Sequence, residues 1–225
     1  MTVTAVHTDD LEKRYGSTPA LGPLDLDVPH GQRVALLGHN GSGKTTLIRL
    51  LTGRLDPTEG SALVMGHRPG SMEARSALSY LADQPVFYDD LSILEHLEFI
   101  ARLHGNVDWR PRADELLERV GLVDRRDDRP VTFSRGLKQK AAICIAFVRR
   151  FDMLVVDEPF VGLDTSGREA LLGLFDDAQA DGSTLLVATH ELTTVGASDR
   201  VIALGDGTLR YDGPPETNLT ELVDG

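Results

Sequence analysis

The chain has 225 residues with 41% hydrophobic content, enough for one compact domain with a substantial core and too few for a second full domain. Its 35 acidic and 23 basic residues give a net charge of -12, which works against nucleic acid or anionic lipid as a partner, and no large basic patch offsets it. The longest apolar run, 141–148, is far short of the roughly 20 residues that span a bilayer, and the first four residues lack the basic-then-apolar pattern of an export signal, so a soluble, unexported protein is expected.

In chain order, short β-type segments at 3–6, 24–28 and 61–65, with turn residues between them, predict an antiparallel portion. Between the second and third lies the most informative stretch. The apolar run 34–37 reads as a buried strand, and it leads into Gly38, His39, Asn40, Gly41, Ser42, Gly43, Lys44 and Thr45, a full GxxxxGK[ST] loop. Residues 45–51, including Thr46, then continue with helical composition up to a stop at Gly53. The glycines allow strained dihedrals and a close approach to phosphate, and the loop amides and helix N-terminus direct positive charge inward. Lys44 is expected to reach the β- and γ-phosphates, and the Thr45 hydroxyl to ligate Mg2+. A chance glycine-rich turn is the plain alternative, but strand, loop and helix in this order point to a site for ATP or GTP.

A helical region follows. Leu91 to Leu103, then 113–120, then 137–148 carry apolar positions at helical spacing, with Gly105, Pro111, Gly121 and Pro130 between them. The single cysteine, Cys144, sits in the last of these and reads as a packed core thiol, which excludes an internal disulfide and fits a reducing compartment. The β pattern returns at 153–156 and 184–188, two short apolar runs typical of strands buried on both faces of a parallel sheet. Residues 166–180 between them read as a crossover helix, and 201–211 as a closing hairpin turning at Gly205-Asp206-Gly207. The strand 153–156 ends in Asp157-Glu158, carboxylates at the ligand edge of an α/β sheet. Asp157 is expected to hold Mg2+ and Glu158 to polarise the attacking water. An acid capping a strand is common, so this motif draws its weight from its pairing with the phosphate loop.

These motifs, in this order over nearly the whole chain, resemble the ATP-binding subunit of an ABC transporter. The resemblance implies an α/β P-loop NTPase fold with ABC-type architecture: a RecA-like parallel-sheet core, an antiparallel β portion and a helical subdomain. It divides the single domain into a catalytic core of about 1–84 and 151–225 and a helical subdomain of about 85–150. Tyr15 matches the family's aromatic that stacks on adenine. Gln84 resembles the glutamine at the lobe junction that senses metal and attacking water and faces the membrane subunit. Phe133-Ser134-Arg135-Gly136-Leu137-Lys138-Gln139 occupies the signature position, where Ser134, Arg135 and Gly136 would contact ATP held by the opposite subunit. Asp164, in Gly162-Leu163-Asp164, resembles the dimer-interface loop, and His190 the switch histidine that touches the γ-phosphate. The implied catalytic set is Glu158, His190, Gln84 and Lys44, with Thr45, Gln84 and Asp157 at the metal.

The signature departs from the commonest Leu-Ser-Gly-Gly-Gln, since Arg135 replaces the first glycine and Leu137 stands where the glutamine would be. The Ser-x-Gly-x-x-Gln form resembles a subgroup serving small exporters of drugs, sodium, polysaccharide or haem. Residues 83–91 and 157–160 also look like haem-exporter subunits. The partners implied are a polytopic membrane transport subunit and a second copy of the chain or a relative, with no nucleic acid. The location implied is the cytoplasmic face of the cell membrane. The alternative is a soluble ABC ATPase of translation, DNA maintenance or iron-sulfur assembly, which the single nucleotide domain and negative charge disfavour. A P-loop kinase or GTPase lacks support for a second substrate site, and no Asn-Lys-x-Asp base reader occurs. Finally, only Lys13, Lys44, Lys138 and Lys140 are lysine and aspartate outnumbers glutamate, a balance that fits a salt-rich host or a GC-rich genome equally.

Overall fold

A computed structural model describes residues 4–189 and 195–215. Ten strands and six α-helices are labelled in chain order, beginning with β1 (Thr4–Tyr15), β2 (Thr18–Leu21), β3 (Leu26–Pro29) and β4 (Arg33–Leu37). Then come α1 (Lys44–Leu51), β5 (Glu59–Val64), α2 (Met72–Ala77) and β6 (Leu78–Leu81). The helical stretch holds α3 (Ile93–Leu103), α4 (Arg110–Val120) and α5 (Arg135–Phe147). The chain returns through β7 (Met153–Asp157), α6 (Thr165–Ala180), β8 (Thr184–Ala188), β9 (Arg200–Gly205) and β10 (Thr208–Gly213).

The larger sheet runs in the order β10-β9-β4-β8-β7-β6, with every pairing parallel except β10 with β9. β4, β7 and β8 are buried along their whole length, which is why each reads as a continuous apolar run. The side chains of β7 and β8 alternate between two cores, and those of β4 between the second of these and a small third cluster that holds Ala35 and Leu37. Leu154, Val156, Leu185 and Val187 face α3 to α6, while Met153, Val155, Leu186, Val34 and Leu36 face α1 and the antiparallel strands. The smaller sheet is built on β1, which pairs antiparallel with β2, β3 and β5.

The helices start where their sequences provide caps. Ser92 forms a capping box with Glu95 at the head of α3, Ser134 accepts from the Leu137 N–H at the head of α5, and Asp164 accepts from the Gly167 N–H at the head of α6. Cys144 is fully buried in α5, and burial pushes its thiol up to about 12. The helical stretch shares one hydrophobic core with a face of the parallel sheet, through Phe147 of α5, Leu171, Leu174 and Phe175 of α6 and the β7 side chains.

Several expectations need correction in detail. The first β segment is much longer than 3–6 and reaches Tyr15, and residue 3 lies outside the described residues. α2 and β6 were not expected, yet β6 forms the edge of the main sheet. β6 is only four residues long and follows a helical segment directly, so neither length nor periodicity separates it from its surroundings.

Candidate nucleotide site

β4 ends at the sheet edge and passes into the loop of residues 38–43, which opens α1. At Gly38 the φ of 147° is compatible with glycine, and a Cβ there would stand 2.4 Å from Ser42 Oγ, so the tight first turn of the loop depends on this residue. The Ser42 N–H donates to His39 O at 3.1 Å, and Gly207 in the β9–β10 turn donates its N–H to Ser42 O at 3.0 Å. The terminal hairpin thus buttresses the loop. Lys44 Nζ donates to Gly38 O at 2.6 Å and to His39 O at 3.3 Å, folding its ammonium back over the loop. Burial lowers the pKa of Lys44, while the charges of Glu158 and Asp157 oppose that shift.

β7 delivers the acids. Asp157 is buried, and its carboxyl is pushed up to about 6, first by burial and then by the charges of Glu158 and Asp83, with Lys44 and Arg49 acting the other way. Glu158 adopts φ 45°, an uncommon state for a non-glycine residue, and its N–H donates to Ala188 O on β8 at 2.9 Å. This kink turns the chain out of the sheet immediately after the last buried carboxylate.

His39, Asn40, Gly41, Ser42, Gly43, Lys44, Thr45, Thr46, Gln84, Asp157 and Glu158 line one cleft of about 680 Å³. The sequence had brought these together from three separate segments, and the cleft joins them. It also contains residues that sequence reasoning missed: Pro19 and Ala20 of β2, Arg49 of α1, Arg54, Tyr80 of β6, and Asp83. Arg49 lies one helical turn beyond Thr45, so helical spacing could have suggested it. Tyr80 had no signal, because the strand that carries it was not recognised, and Asp83, two residues beyond that strand, lies in the noted segment 83–91 without a motif of its own. Arg54 stacks over Tyr80 with 4.6 Å between guanidinium and ring centroid, and burial raises the Tyr80 phenol, aided by the Asp157 charge.

Other expected residues lie elsewhere. Tyr15 is half-exposed at the end of β1, with Lys13 Nζ 5.6 Å from its ring, and it is not part of the lining. Ser134, Arg135 and Gly136, at the head of α5, are not part of the lining, although Arg135 Nη2 donates to Asp83 Oδ1 of the cleft at 3.2 Å. Asp164 caps α6 and pairs with Lys140 at 2.9 Å, and the hydrogen bond from Lys140, then that from the Gly167 N–H, lowers its pKa. His190 lies outside the described residues.

The donors fit the expected ligands. Ser42 Oγ is a buried hydroxyl with no partner in the protein, at the place where a phosphate oxygen would supply one. Among the described residues no cluster of three or more His, Cys, Asp or Glu forms a metal cage. The oxygen donors Thr45, Gln84 and Asp157 suit Mg2+, which is commonly held by one or two carboxylates together with substrate phosphates.

A phosphate loop after β4, an Asp-Glu pair after β7 and an intervening β8 define a P-loop nucleoside triphosphatase with a RecA-like core. The family model for ABC transporters matches residues 21–161, and the chain belongs to that family. It is 36% identical over 211 residues to an uncharacterized ABC transporter ATP-binding protein, YdbJ, of Bacillus subtilis, covering 92% of this chain and 68% of the relative. It is 34% identical to the SkfA peptide export ATP-binding protein SkfE of the same organism, covering 92% and 88%. A solved ATP-binding subunit of an ABC transporter superposes with a TM-score of 0.91 at 31% identity, covering 97% of this chain and 98% of that one. The protein is an ATP-binding subunit that hydrolyses ATP to drive transport. Subunits of this family dimerise and work with membrane partners, and among the described residues no helix here is long and apolar enough to cross a membrane.

Proposed function

We propose that two copies of this chain close head to tail around two Mg-ATP molecules, and that closure and reopening drive export through a separate polytopic membrane protein. One observation carries the reading. Lys44, Gln84, Asp157 and Glu158 share a single cleft, whereas Ser134, Arg135 and Gly136 stand outside its lining, where a second chain's nucleotide could reach them. The division into a catalytic core of about 1–84 and 151–225 and a helical subdomain of about 85–150 belongs to the same proposal.

In this reading the loop amides and Lys44 hold the β- and γ-phosphates, and Tyr15, outside the cleft lining, offers a face to adenine. Magnesium, held by Thr45, Gln84 and Asp157, would neutralise charge on the phosphates. Glu158 accepts a proton from water as that water attacks the γ-phosphorus in line, and ADP departs from the opposite side. Gln84 orients the water and, with His190, senses the γ-phosphate. Asp164 lines the dimer interface.

Export is supported by the SkfE relative and by the Ser-x-Gly-x-x-Gln signature. The membrane partner is supported by an exposed apolar knob beside Gln84. Val86 and Tyr88 project from it, and Tyr88 stacks edge-on with Phe99 of α3 at 5.5 Å. His96 fixes this knob, because its Nδ1–H donates to Ser92 O at 2.7 Å and its Nε2 accepts from the Tyr88 N–H at 2.9 Å. Such an assembly places the chain on the cytoplasmic face of the membrane, with no role for nucleic acid.

The test is affinity capture of tagged Glu158→Gln, with Mg-ATP, from detergent-solubilised host membranes. Co-elution of a polytopic membrane protein is expected. Recovery of soluble or ribosomal partners alone would move the assignment to a non-transport ATPase.

A further inference from the structure

We infer that Asp83 and Arg135 form a latch that holds the signature segment against its own subunit's cleft until nucleotide on a second copy draws Arg135 away. The inference rests on the head-to-tail dimer proposed above. Arg135 is the first residue of α5, directly after its N-cap Ser134. A cation there faces the positive end of the helix dipole, so the position is unfavourable unless an anion accompanies it. In the isolated chain that anion is Asp83, at 3.2 Å. The Arg135 stem also lies along Gly162, its Cγ 3.5 Å from where a Gly162 Cβ would be.

Asp83 is well placed to link two sites. It lines the nucleotide cleft, next to Gln84, and its charge contributes to the raised pKa of Asp157. The pair joins the segment that must serve a second chain to the loop that monitors its own nucleotide. Its energy suits a switch. The Arg135 side chain is 62% exposed and that of Asp83 33%, so the pair is weak and screened by salt. A triphosphate carries several negative charges against the single charge of Asp83, and it wins the guanidinium once two chains approach. Departure of Arg135 then leaves Asp83 unpaired beside Gln84, which ties the state of one cleft to docking of the other.

The test is to place Asp83→Asn in the Glu158→Gln background and to read, by light scattering, the ATP concentration at half-maximal dimer formation. The latch predicts a midpoint about two- to fivefold lower, the scale of one weak ion pair, with the difference shrinking in high salt. It also predicts that Asp83→Asn has no such effect once Arg135→Ala is present. Should Arg135→Ala prevent dimerisation, Arg135→Gln, which keeps donors without the charge, takes its place in this control. An unchanged or higher midpoint overturns the latch. So does an equal shift without Arg135, since Asp83 would then act on nucleotide directly. Absence of any ATP-dependent dimer in Glu158→Gln itself would instead overturn the proposed function, and the latch with it.

Discussion

Asp157 combines burial with a charge that the folded protein disfavours. Its carboxyl is pushed up to about 6, so between the ordinary carboxylate range and that value the folded state binds more protons than the unfolded one. Stability of the nucleotide-free, magnesium-free protein therefore falls as pH rises through this window. Asp157→Asn removes the charge while keeping the shape. It is expected to melt higher than the parent at pH 7 to 8, with the gap closing as pH drops below about 6. A variant that melts lower than the parent at pH 8 would contradict this picture of the site. Under the proposed function, in which Asp157 holds Mg2+, function and stability are opposed at this position. At this scale the phosphate loop and the Asp-Glu pair were legible because their chemistry is local in sequence. Tyr80 was not, since it enters the cleft on the unrecognised β6, nor was Asp83, which follows that strand by two residues.

Among the helices, α5 makes a close backbone approach near the site. A Cβ on Gly136 would lie 2.4 Å from Gly162 O, so the first turn of α5 rests directly on the loop that leads to Asp164. Gly136→Ala is expected to push these segments apart, at a cost of roughly 1 to 3 kcal/mol, measured as a lower denaturant midpoint. It should also abolish ATP-driven dimerisation in the Glu158→Gln background. Unaltered stability would show that the contact is not a constraint. The serine cap of α5 could be read from the sequence, because Ser134 precedes the apolar helical pattern. The requirement for glycine at 136 could not, because its cause is a backbone atom 26 residues away. β1 illustrates a different barrier. Asp10 takes φ 46° and the register with β5 shifts between Asp9 and Glu12, so the inside-outside alternation is interrupted and only its first residues read as a strand.

For the whole molecule, the parallel strands were legible because burial on both faces forces apolar runs, and the crossover helix followed from its position between two of them. The strand order was not, because β8 comes late in the chain yet inserts between β4 and β7. That insertion sets the phosphate loop and the acids two strands apart, across the width of the cleft. The central claim is that this cleft is half of a shared site, and it is tested most directly by light scattering on purified Glu158→Gln, with and without Mg-ATP. The account predicts the 24.5 kDa chain alone and twice that mass with Mg-ATP. A chain that stays monomeric with bound ATP would contradict it.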